Sequence, residues 1–550
     1  MLFIFMSSYS KKSYLAIWDC APLLEGIGYS MATIRFTAEC YNVLLAAATL
    51  RIISDITQGG LKKQLTICEF NVPSDPSILC IPMVEGIIGI NCTHNVTTLT
   101  SLQYYYSFAV RGLTRDPSWQ TPVVNTTLLS YVVLVWFIVF ILSILGLKRL
   151  KAITVNLQIV FSVIMIVLGA AILTRIEFKN HRFKYASAAE VSVKFWVEII
   201  LHASETTVLG NLIWLGSMKP DCLDPKYAAI ITTPIKLFML FLIVCATTVS
   251  TQENMVLYSI TNKECFNPTG SEILMILIPD ILFRCEVWQI PTVLWYSSIF
   301  FFASLSTLYS IIGLVDSIIE KFKILRRYTL VVCLILCVVG FILSITLTLN
   351  ISLSIIRGWR HCGLTILTAS MSLLINLAVF FIYSTRKIID DYIFSFGRQP
   401  EKYWVALWKA APIFTIFAFI FALTFQSSHL VTNDSNSTVI AMSYFQCSTV
   451  LLPIFIIMMG RCCKNIKQRT LDYLTKSAPS WGPANPIDNI ARKKFFPQRD
   501  IKWRNAVLRC KHKCAISNNL KYVEEIMFQN RRFAQAKREM EWEVEGQIKT

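Results

Sequence analysis

Residues 127–146 read TLLSYVVLVWFIVFILSILG and contain no charged side chain. A run of about 20 apolar residues is long enough for an α-helix to cross the hydrocarbon core of a bilayer. Similar runs recur along the chain and predict about ten spans of this kind. The predicted spans are 27–49, 127–146, 153–173, 194–215, 228–249, 293–315, 328–350, 362–384, 405–425 and 438–459.

The composition excludes a single water-soluble core. Of the 550 residues, 54% are hydrophobic and 16% are charged, whereas about a quarter of an average soluble domain is charged. The mean hydropathy is +0.54. A chain this apolar needs lipid as its solvent, and inside lipid a helix satisfies its own backbone hydrogen bonds. The sequence therefore predicts an all-α, polytopic integral membrane protein.

Positive charge is concentrated in short segments between the apolar runs and after the last one. The formal net charge is +18. The Lys/Arg-rich segments are 146–151, 320–327, 384–391 and the segment after Arg461, and the positive-inside rule places them in the cytoplasm. The chain contains no nucleic-acid-binding motif. We therefore expect the lipid bilayer, and no nucleic acid, as the partner of this charge.

N-x-S/T sequences lie in several loops between the basic segments. Glycosylation at such a sequence requires a lumenal or extracellular face. The acceptor candidates are Asn91, Asn95, Asn125, Asn433 and Asn436. Because they alternate with the basic segments, an even number of spans places both termini in the cytoplasm. We expect a multi-pass glycoprotein of the plasma membrane.

These signals divide the chain into two parts. Residues 1–460 are predicted to form the transmembrane domain, with a glycosylated loop at 51–126 and an extracellular loop at 250–292. Residues 461–550 are predicted to form a basic cytoplasmic tail.

The cysteines predict one extracellular bridge and no metal centre. Loop 51–126 contains Cys68, Cys80 and Cys92, and thiols outside the cell oxidise. A Cys80–Cys92 bridge is the predicted pairing, although an odd number of cysteines leaves the pairing open. No CxxC pair or His/Cys cluster has the spacing of a zinc site, so we expect no metal beyond sodium.

Five stretches in order resemble the neurotransmitter:sodium symporter family, the sodium- and chloride-dependent solute carriers. They are APLLEGIGYSM (21–31), CYNVLLA (40–46), KIIDDYIFSFGRQP (387–400), YWVALWK (403–409) and SAPSWGPA (477–484). The resemblance extends over nearly the whole chain to about residue 490, with loop lengths that match the family's own.

The resemblance implies a secondary-active transporter built from inverted repeats, with alternating access to a central site. In such folds substrate and ions bind at mid-membrane, where helices are broken. The implied partners are a small amine or amino-acid solute and co-transported sodium and chloride, with no other cofactor. The implied substrate-binding residues are Tyr41, Ser204, Leu209 and Gly210.

Several departures from the family pattern qualify these implications. Met1 aligns inside the family's second helix, and no Asn-x-x-Arg-Phe-Pro pattern is present, so we expect a divergent, N-terminally shortened bundle that lacks the first helix. At the sixth-helix break, residues 204–210 read SETTVLG, and Thr206 and Val208 replace two glycines. Such β-branched residues are stiffer than glycine.

The ion-site candidates are Ser204, Lys236, Thr307 and Ser310. Ile235 and the pair Ile311 and Ile312 align where the family has sodium ligands, and aliphatic side chains cannot coordinate a hard cation, which needs oxygen.

Each candidate has a structural alternative. The Ser204 hydroxyl can bond to its own helix. The Lys236 ammonium can substitute for the bound cation, paired with Glu205, or it can extend to the membrane surface or lose its charge. Buried tyrosines such as Tyr41 need a hydrogen-bond partner in any core.

Arg35 and Glu39 are unusual for a membrane span. They are four residues apart, so both can face the same side of one helix and neutralise each other. We interpret them as a structural ion pair.

Two function classes follow from these observations. The first is a transporter, and the second is a non-transporting scaffold or regulatory relative that has lost sodium ligands. We do not expect an enzyme, since no nucleophile–base motif or phosphate loop is present. The adjacent Asp390 and Asp391 match a family motif, and we interpret them as anchors in a cytoplasmic loop.

Overall fold

The computed structural model describes the chain in several ranges. They are residues 2–68, 70, 78–83, 97–113, 122–175, 208, 210–218, 225–257, 273–284, 287–352, 355–356, 365–396, 399–432, 437–468, 477–493 and 495.

The described elements are almost entirely helical. The helices of the first part are α1 (Leu2–Ser10), α2 (Gly26–Thr57), α3 (Leu61–Ile67), α4 (Ser101–Tyr104), α5 (Thr126–Leu145), α6 (Leu147–Arg175) and α7 (Asn211–Ser217). Then follow α8 (Pro225–Leu257), α9 (Ile278–Phe283), α10 (Gln289–Lys321), α11 (Thr329–Thr346), α12 (Thr365–Asn376), α13 (Thr385–Phe396), α14 (Lys402–Thr432), α15 (Ser437–Gln468) and α16 (Pro486–Lys493). Short 3₁₀ and π-helical segments are Ile17–Cys20, Pro22–Leu24, Tyr105–Val110, Ile273–Leu277, Lys323–Tyr328 and Leu377–Ser384.

Two short strands lie in the loop after α3. They are β1 (Ile78–Ile81) and β2 (Thr97–Thr100), which pair in parallel with Ile78 opposite Thr97. Apart from this pair the described elements are helices, so the predicted all-α, polytopic class is confirmed.

Helix α5 shows how the sequence sets a span. The Asn125 side chain accepts a hydrogen bond from the Leu128 N–H and so caps the first turn. Gly146, with φ of +73°, follows the last residue. Between these two residues lie 20 helical residues, and at about 1.5 Å per residue their length matches the hydrocarbon thickness of a bilayer.

Seven helical stretches among the described residues are long and apolar enough to cross a membrane. They are Pro22–Thr57, Thr126–Leu145, Ala152–Leu173, Gln289–Lys321, Lys323–Thr346, Ile366–Phe396 and Lys402–Thr424. Each overlaps one predicted span. Of the other predicted spans, 228–249 lies within α8, 438–459 lies within α15, and most of 194–215 lies outside the described residues.

Helices α2 and α10 form the centre of the bundle. Among the described elements they make the most extensive helix–helix contact, and α5, α11 and α15 also pack against α2. At the start of α2, a Cβ at Gly26 would collide with the backbone of Ile454 in α15, so glycine permits this close approach. Many side chains of α2 and α10 are therefore buried.

The predicted Cys80–Cys92 bridge is wrong. Cys80 is bonded to Cys68, with Cα atoms 6.1 Å apart, a distance that a disulfide spans readily. Cys68 follows the last residue of α3, and the Met83 N–H donates to the Leu65 carbonyl 3.0 Å away, which holds β1 beside α3. The sequence separation could not distinguish the two pairings, because the same number of residues separates Cys80 from Cys68 and from Cys92. Cys92 lies outside the described residues.

Candidate functional site

The carboxylate of Glu39 lies in the bundle centre, on α2, with a residue exposure of 4%. Its Oε2 accepts a hydrogen bond from Asn42 Nδ2 at 2.8 Å, one turn later on the same helix. A carboxylate at this depth is costly unless hydrogen-bonded or paired, and such residues are usually functional.

Three hydroxyls of α10 complete the surroundings of this carboxylate. Ser306 Oγ lies 3.2 Å from Oε1, Thr307 Oγ1 lies 3.3 Å from Oε2, and Ser310 Oγ also donates to Oε1. Residues three and four apart share one face of a helix, so α10 presents all three hydroxyls to α2. We call Glu39, Asn42, Ser306, Thr307 and Ser310 the Glu39 cluster.

Each oxygen of the Glu39 carboxylate accepts two hydrogen bonds within the described residues. That fills the acceptor positions of an ionised carboxylate. The cluster can therefore hold a negative charge inside the bundle, and it offers oxygen atoms to a cation.

The cluster brings together two of the predicted ion-site residues, Thr307 and Ser310. Sequence reasoning missed their connection to Glu39, as well as the roles of Asn42 and Ser306. A mid-span Glu and three hydroxyls on one face of another span were the available signal. Ile311, at a position where the family has a sodium ligand, is fully buried beside them.

Arg35 lies one turn before Glu39 and is 1% exposed. Its guanidinium carbon lies 5.9 Å from the centroid of the Tyr14 ring. The hydrogen bonds described for Glu39 come from amide and hydroxyl groups instead, and the Arg35–Glu39 ion pair stays a prediction.

Gly210 interrupts helical geometry inside the predicted span 194–215. Its φ is +72° and it precedes α7. A Cβ there would lie 3.3 Å from Met31 Cε and 3.4 Å from Tyr14 Cβ. The interruption therefore packs against α2 and against the aromatic ring beside Arg35.

The remaining predicted site residues are dispersed or not described. Tyr41 is half-buried on α2, and two residues correspond to about 200° around a helix, so it projects away from the side of Glu39. Lys236 lies within α8, but its side chain is outside the described part of the structure. Ser204 and Leu209 are also outside it.

Comparison with known proteins gives the family. The sequence model of the sodium:neurotransmitter symporter family matches residues 1–464. The chain belongs to this family. The sodium-dependent dopamine transporter of Bos taurus is 22% identical over 449 residues, which make up 77% of this chain and 61% of that relative. The chain thus spans about three fifths of the length of this curated relative.

Membership of the sodium:neurotransmitter symporter family fits the expected membrane protein with several transmembrane helices. It is a transporter family, which fits the expectation that the chain is not an enzyme, and its members are coupled to sodium and chloride.

Charged side chains from separate parts of the chain meet at one end of this bundle. Asp19 binds Lys12 at 2.6 Å and Lys321 at 3.3 Å. Glu25 binds Lys321 at 2.5 Å and also pairs with Arg461. We call these five residues the charged end. Burial alone would raise the pKa of the Asp19 carboxyl, but the hydrogen bond from Lys12 and the charges of Lys12 and Lys321 bring its pKa below the usual value.

The segment after α15 packs onto the charged end. The Ala478 N–H donates to the Asp19 carbonyl at 2.8 Å, and Ser480 Oγ lies 2.9 Å from Asp19 Oδ2. Trp481 is 7% exposed, and its Nε1 donates to Tyr383 Oη at 2.8 Å. Residues 477–493 of the predicted tail are therefore attached to the bundle.

Asn125 is the glycosylation candidate that the structure describes. Its Nδ2, the atom to which a glycan would attach, donates to the Val110 carbonyl at 3.0 Å. A Cβ at Gly112 would lie 2.8 Å from the same nitrogen. The side chain thus serves as a helix cap in tight packing. The candidates Asn91, Asn95, Asn433 and Asn436 lie outside the described residues.

Proposed function

We propose that this protein is a secondary-active transporter that moves a small amine or amino-acid solute together with sodium. The observation that supports the proposal most is the Glu39 cluster, which places buried polar groups between the two central helices of a symporter-family bundle. Soluble ions and polar solutes need such groups to replace water inside lipid.

The interruption at Gly210 supports an alternating-access site. A residue with φ of +72° leaves backbone groups outside the helical hydrogen-bond pattern, and broken helices are how transporters present such groups to substrate. The proposed substrate-contacting residues are Gly210, Leu209, Ser204 and Tyr41. Lys236 remains a proposed substitute for one bound cation.

The proposed location is the plasma membrane, with the charged end and both termini in the cytoplasm. Lys12, Lys321 and Arg461 lie at that end, as the positive-inside rule requires. The Cys68–Cys80 bridge follows α2 at its other end, and disulfides persist on the oxidising side of a membrane.

Residues 1–460 are the proposed transmembrane domain, although α15 continues to Gln468. We retain 461–550 as the proposed cytoplasmic tail.

The test is uptake by cells that express the whole chain. Radiolabelled dopamine, glycine and γ-aminobutyrate are offered in sodium chloride, choline chloride and sodium gluconate, with surface biotinylation to measure the protein at the membrane. Sodium-dependent uptake above that of vector-transfected cells is the expected result.

A non-transporting scaffold is the second candidate function. Ile311 and Ile312 stand where the family has sodium ligands, and both are buried. Normal surface expression without sodium-dependent uptake of any amine or amino acid would favour this function over transport.

A further inference from the structure

We infer that the Glu39 cluster is a binding site for a monovalent cation, with sodium as its ligand. The inference rests on the proposed function and assigns its ion site to α2 and α10. It makes Glu39 the charged ligand of the ion and the hydroxyls of Ser306, Thr307 and Ser310 its neutral ligands.

The atoms around the cluster suit a hard cation. Glu39 Oε1 and Oε2 and three hydroxyl oxygens converge within the described structure. Ser306 Oγ lies 3.2 Å and Thr307 Oγ1 lies 3.3 Å from the nearer carboxylate oxygen. Hard cations take oxygen ligands from carboxylates and neutral groups. The site is closed to lipid, because Glu39, Thr307 and Ser310 are each less than 5% exposed.

The Thr307 hydroxyl can exchange its role as a donor for a role as a ligand. A hydroxyl has one proton and two lone pairs, and it rotates to suit its partners. Thr307 Oγ1 lies 3.3 Å from Glu39 Oε2 and 3.1 Å from the Ala303 carbonyl, so its proton has a second acceptor. When the proton is donated to Ala303, the lone pairs of Thr307 face the carboxylate, where a cation would sit.

Asn42 orients the carboxylate from the same helix, α2. Its Nδ2 donates to Glu39 Oε2 at 2.8 Å and lies 3.4 Å from Ser306 Oγ. The donor nitrogen cannot bind a cation, but it orients Oε2 whether or not the ion is present. The site is thus partly organised before the ion arrives, which reduces the conformational entropy lost on binding.

The charge of the site selects a monovalent ion. Glu39 is the one carboxylate in the cluster, and the described residues contain no group of three acidic, His or Cys side chains that could hold a metal. Calcium sites use six to eight oxygens, several of them from carboxylates. Arg35, one turn away, adds positive charge that further disfavours a divalent ion.

The test measures ion binding without transport. The whole chain is purified in detergent, and its apparent Tm is followed while NaCl replaces choline chloride at constant ionic strength. A ligand that binds only the folded state raises Tm with its concentration. We expect the apparent Tm of the unsubstituted chain to rise with NaCl concentration until it saturates. In Glu39→Gln, replacing choline chloride by NaCl should leave the apparent Tm unchanged.

Hydroxyl variants test the neutral ligands. Ser310→Ala and Thr307→Val should each raise the half-maximal NaCl concentration about tenfold, the effect of losing one contact to a charged group. Ser298→Ala is the matched control, because Ser298 is a fully buried serine of the same helix that donates to its own Leu294 carbonyl. Asp316→Asn is the control for Glu39→Gln, since Asp316 lies on α10 and bonds to Trp214 instead.

Two results would overturn the inference: no greater stabilisation by NaCl than by choline chloride in the unsubstituted chain, or equal stabilisation by NaCl in Glu39→Gln. If Glu39→Gln does not fold, unchanged half-maximal NaCl in Ser310→Ala and Thr307→Val overturns it. Saturable stabilisation by NaCl without uptake of any solute would support the ion site and contradict the transport proposal. Sodium-dependent uptake retained in Glu39→Gln would leave transport standing and remove this site.

Discussion

The guanidinium of Arg492 lies 2.7 Å from the carboxylate of Asp391, although the two residues are 101 positions apart in the chain. Asp391 also accepts hydrogen bonds from Tyr9 at 3.1 Å and from Tyr383. The sequence interpretation placed Asp391 in a loop, but it lies within α13, with 3% of its surface exposed. One carboxylate thus joins α1, α13 and α16.

Removing this carboxylate should release α16 from the bundle. In Asp391→Asn, Arg492 loses a charged partner, and a hydrogen bond to a charged group contributes about 2 kcal/mol. We therefore expect the rate of proteolytic cleavage within 477–493 to rise about 30-fold at neutral pH, because cleavage of a locally opened segment follows its opening equilibrium.

Limited trypsinolysis followed by mass spectrometry measures this rate. Asp488→Asn is the control, since Asp488 is an exposed residue of the same helix and its replacement leaves the tryptic sites Arg492 and Lys493 in place. Equal cleavage rates in Asp391→Asn and the unsubstituted chain would show that the ion pair does not attach α16.

The contribution of Asp19 should persist at mildly acidic pH. Its pKa in the folded protein is below the unfolded value of about 4, so its ion pairs are fully present above that value. They are lost only as the pH falls through the folded pKa. We expect the apparent Tm difference between the unsubstituted chain and Asp19→Asn to be constant from pH 7 to pH 5 and to shrink below about pH 4.

Thermal unfolding in detergent at closely spaced pH values measures this difference. A difference that declines between pH 7 and pH 5 would contradict the lowered pKa of Asp19. Lys63→Ala, an exposed position on α3 near the other end of α2, serves as a control for general loss of charge.

The Cys68–Cys80 bridge should stabilise the loop after α2. It closes a loop of 12 residues, and a bridge of that size contributes about 3 kcal/mol. Cys68→Ser and Cys80→Ser should each lower the apparent Tm, whereas Cys92→Ser should leave the Cys68–Cys80 peptide pair intact in a non-reducing peptide map. A Cys80–Cys92 peptide pair in the non-reducing map of the unsubstituted chain would refute the observed pairing.

The sequence predicted the ends of a span well where residues next to those ends determine them. The predicted span 127–146 differs from α5 by one residue at each end, because a cap and a glycine bound it. The predicted span 293–315 is shorter than α10, which runs from Gln289 to Lys321. Hydropathy detects the part of a helix that lies in lipid, and charged residues continue the same helix beyond it.

The candidate site could be predicted only in pieces. Glu39, Thr307 and Ser310 each stand out in the sequence, but 271 positions separate Glu39 from Ser310. Helical periodicity determines which residues share a face of one helix, and it does not determine which helices meet. The contact between α2 and α10 is a tertiary result, so the hydroxyl partners of Glu39 emerged only from the structure.

Close packing of α5 and α11 depends on Gly340. Trp136 of α5 lies against this glycine, and its Nε1 donates to Ser344 Oγ of α11 at 3.1 Å. A Cβ at position 340 would overlap the indole ring, and insertion into a packed core costs about 1–3 kcal/mol. Gly340→Ala should therefore shorten the half-life of the folded protein at elevated temperature. Gly169→Ala on α6 is the matched control, since a Cβ there meets no atom within 4 Å. Equal half-lives for the two variants, measured by fluorescence-detected size exclusion after heating, would show that Trp136 moves aside at no cost.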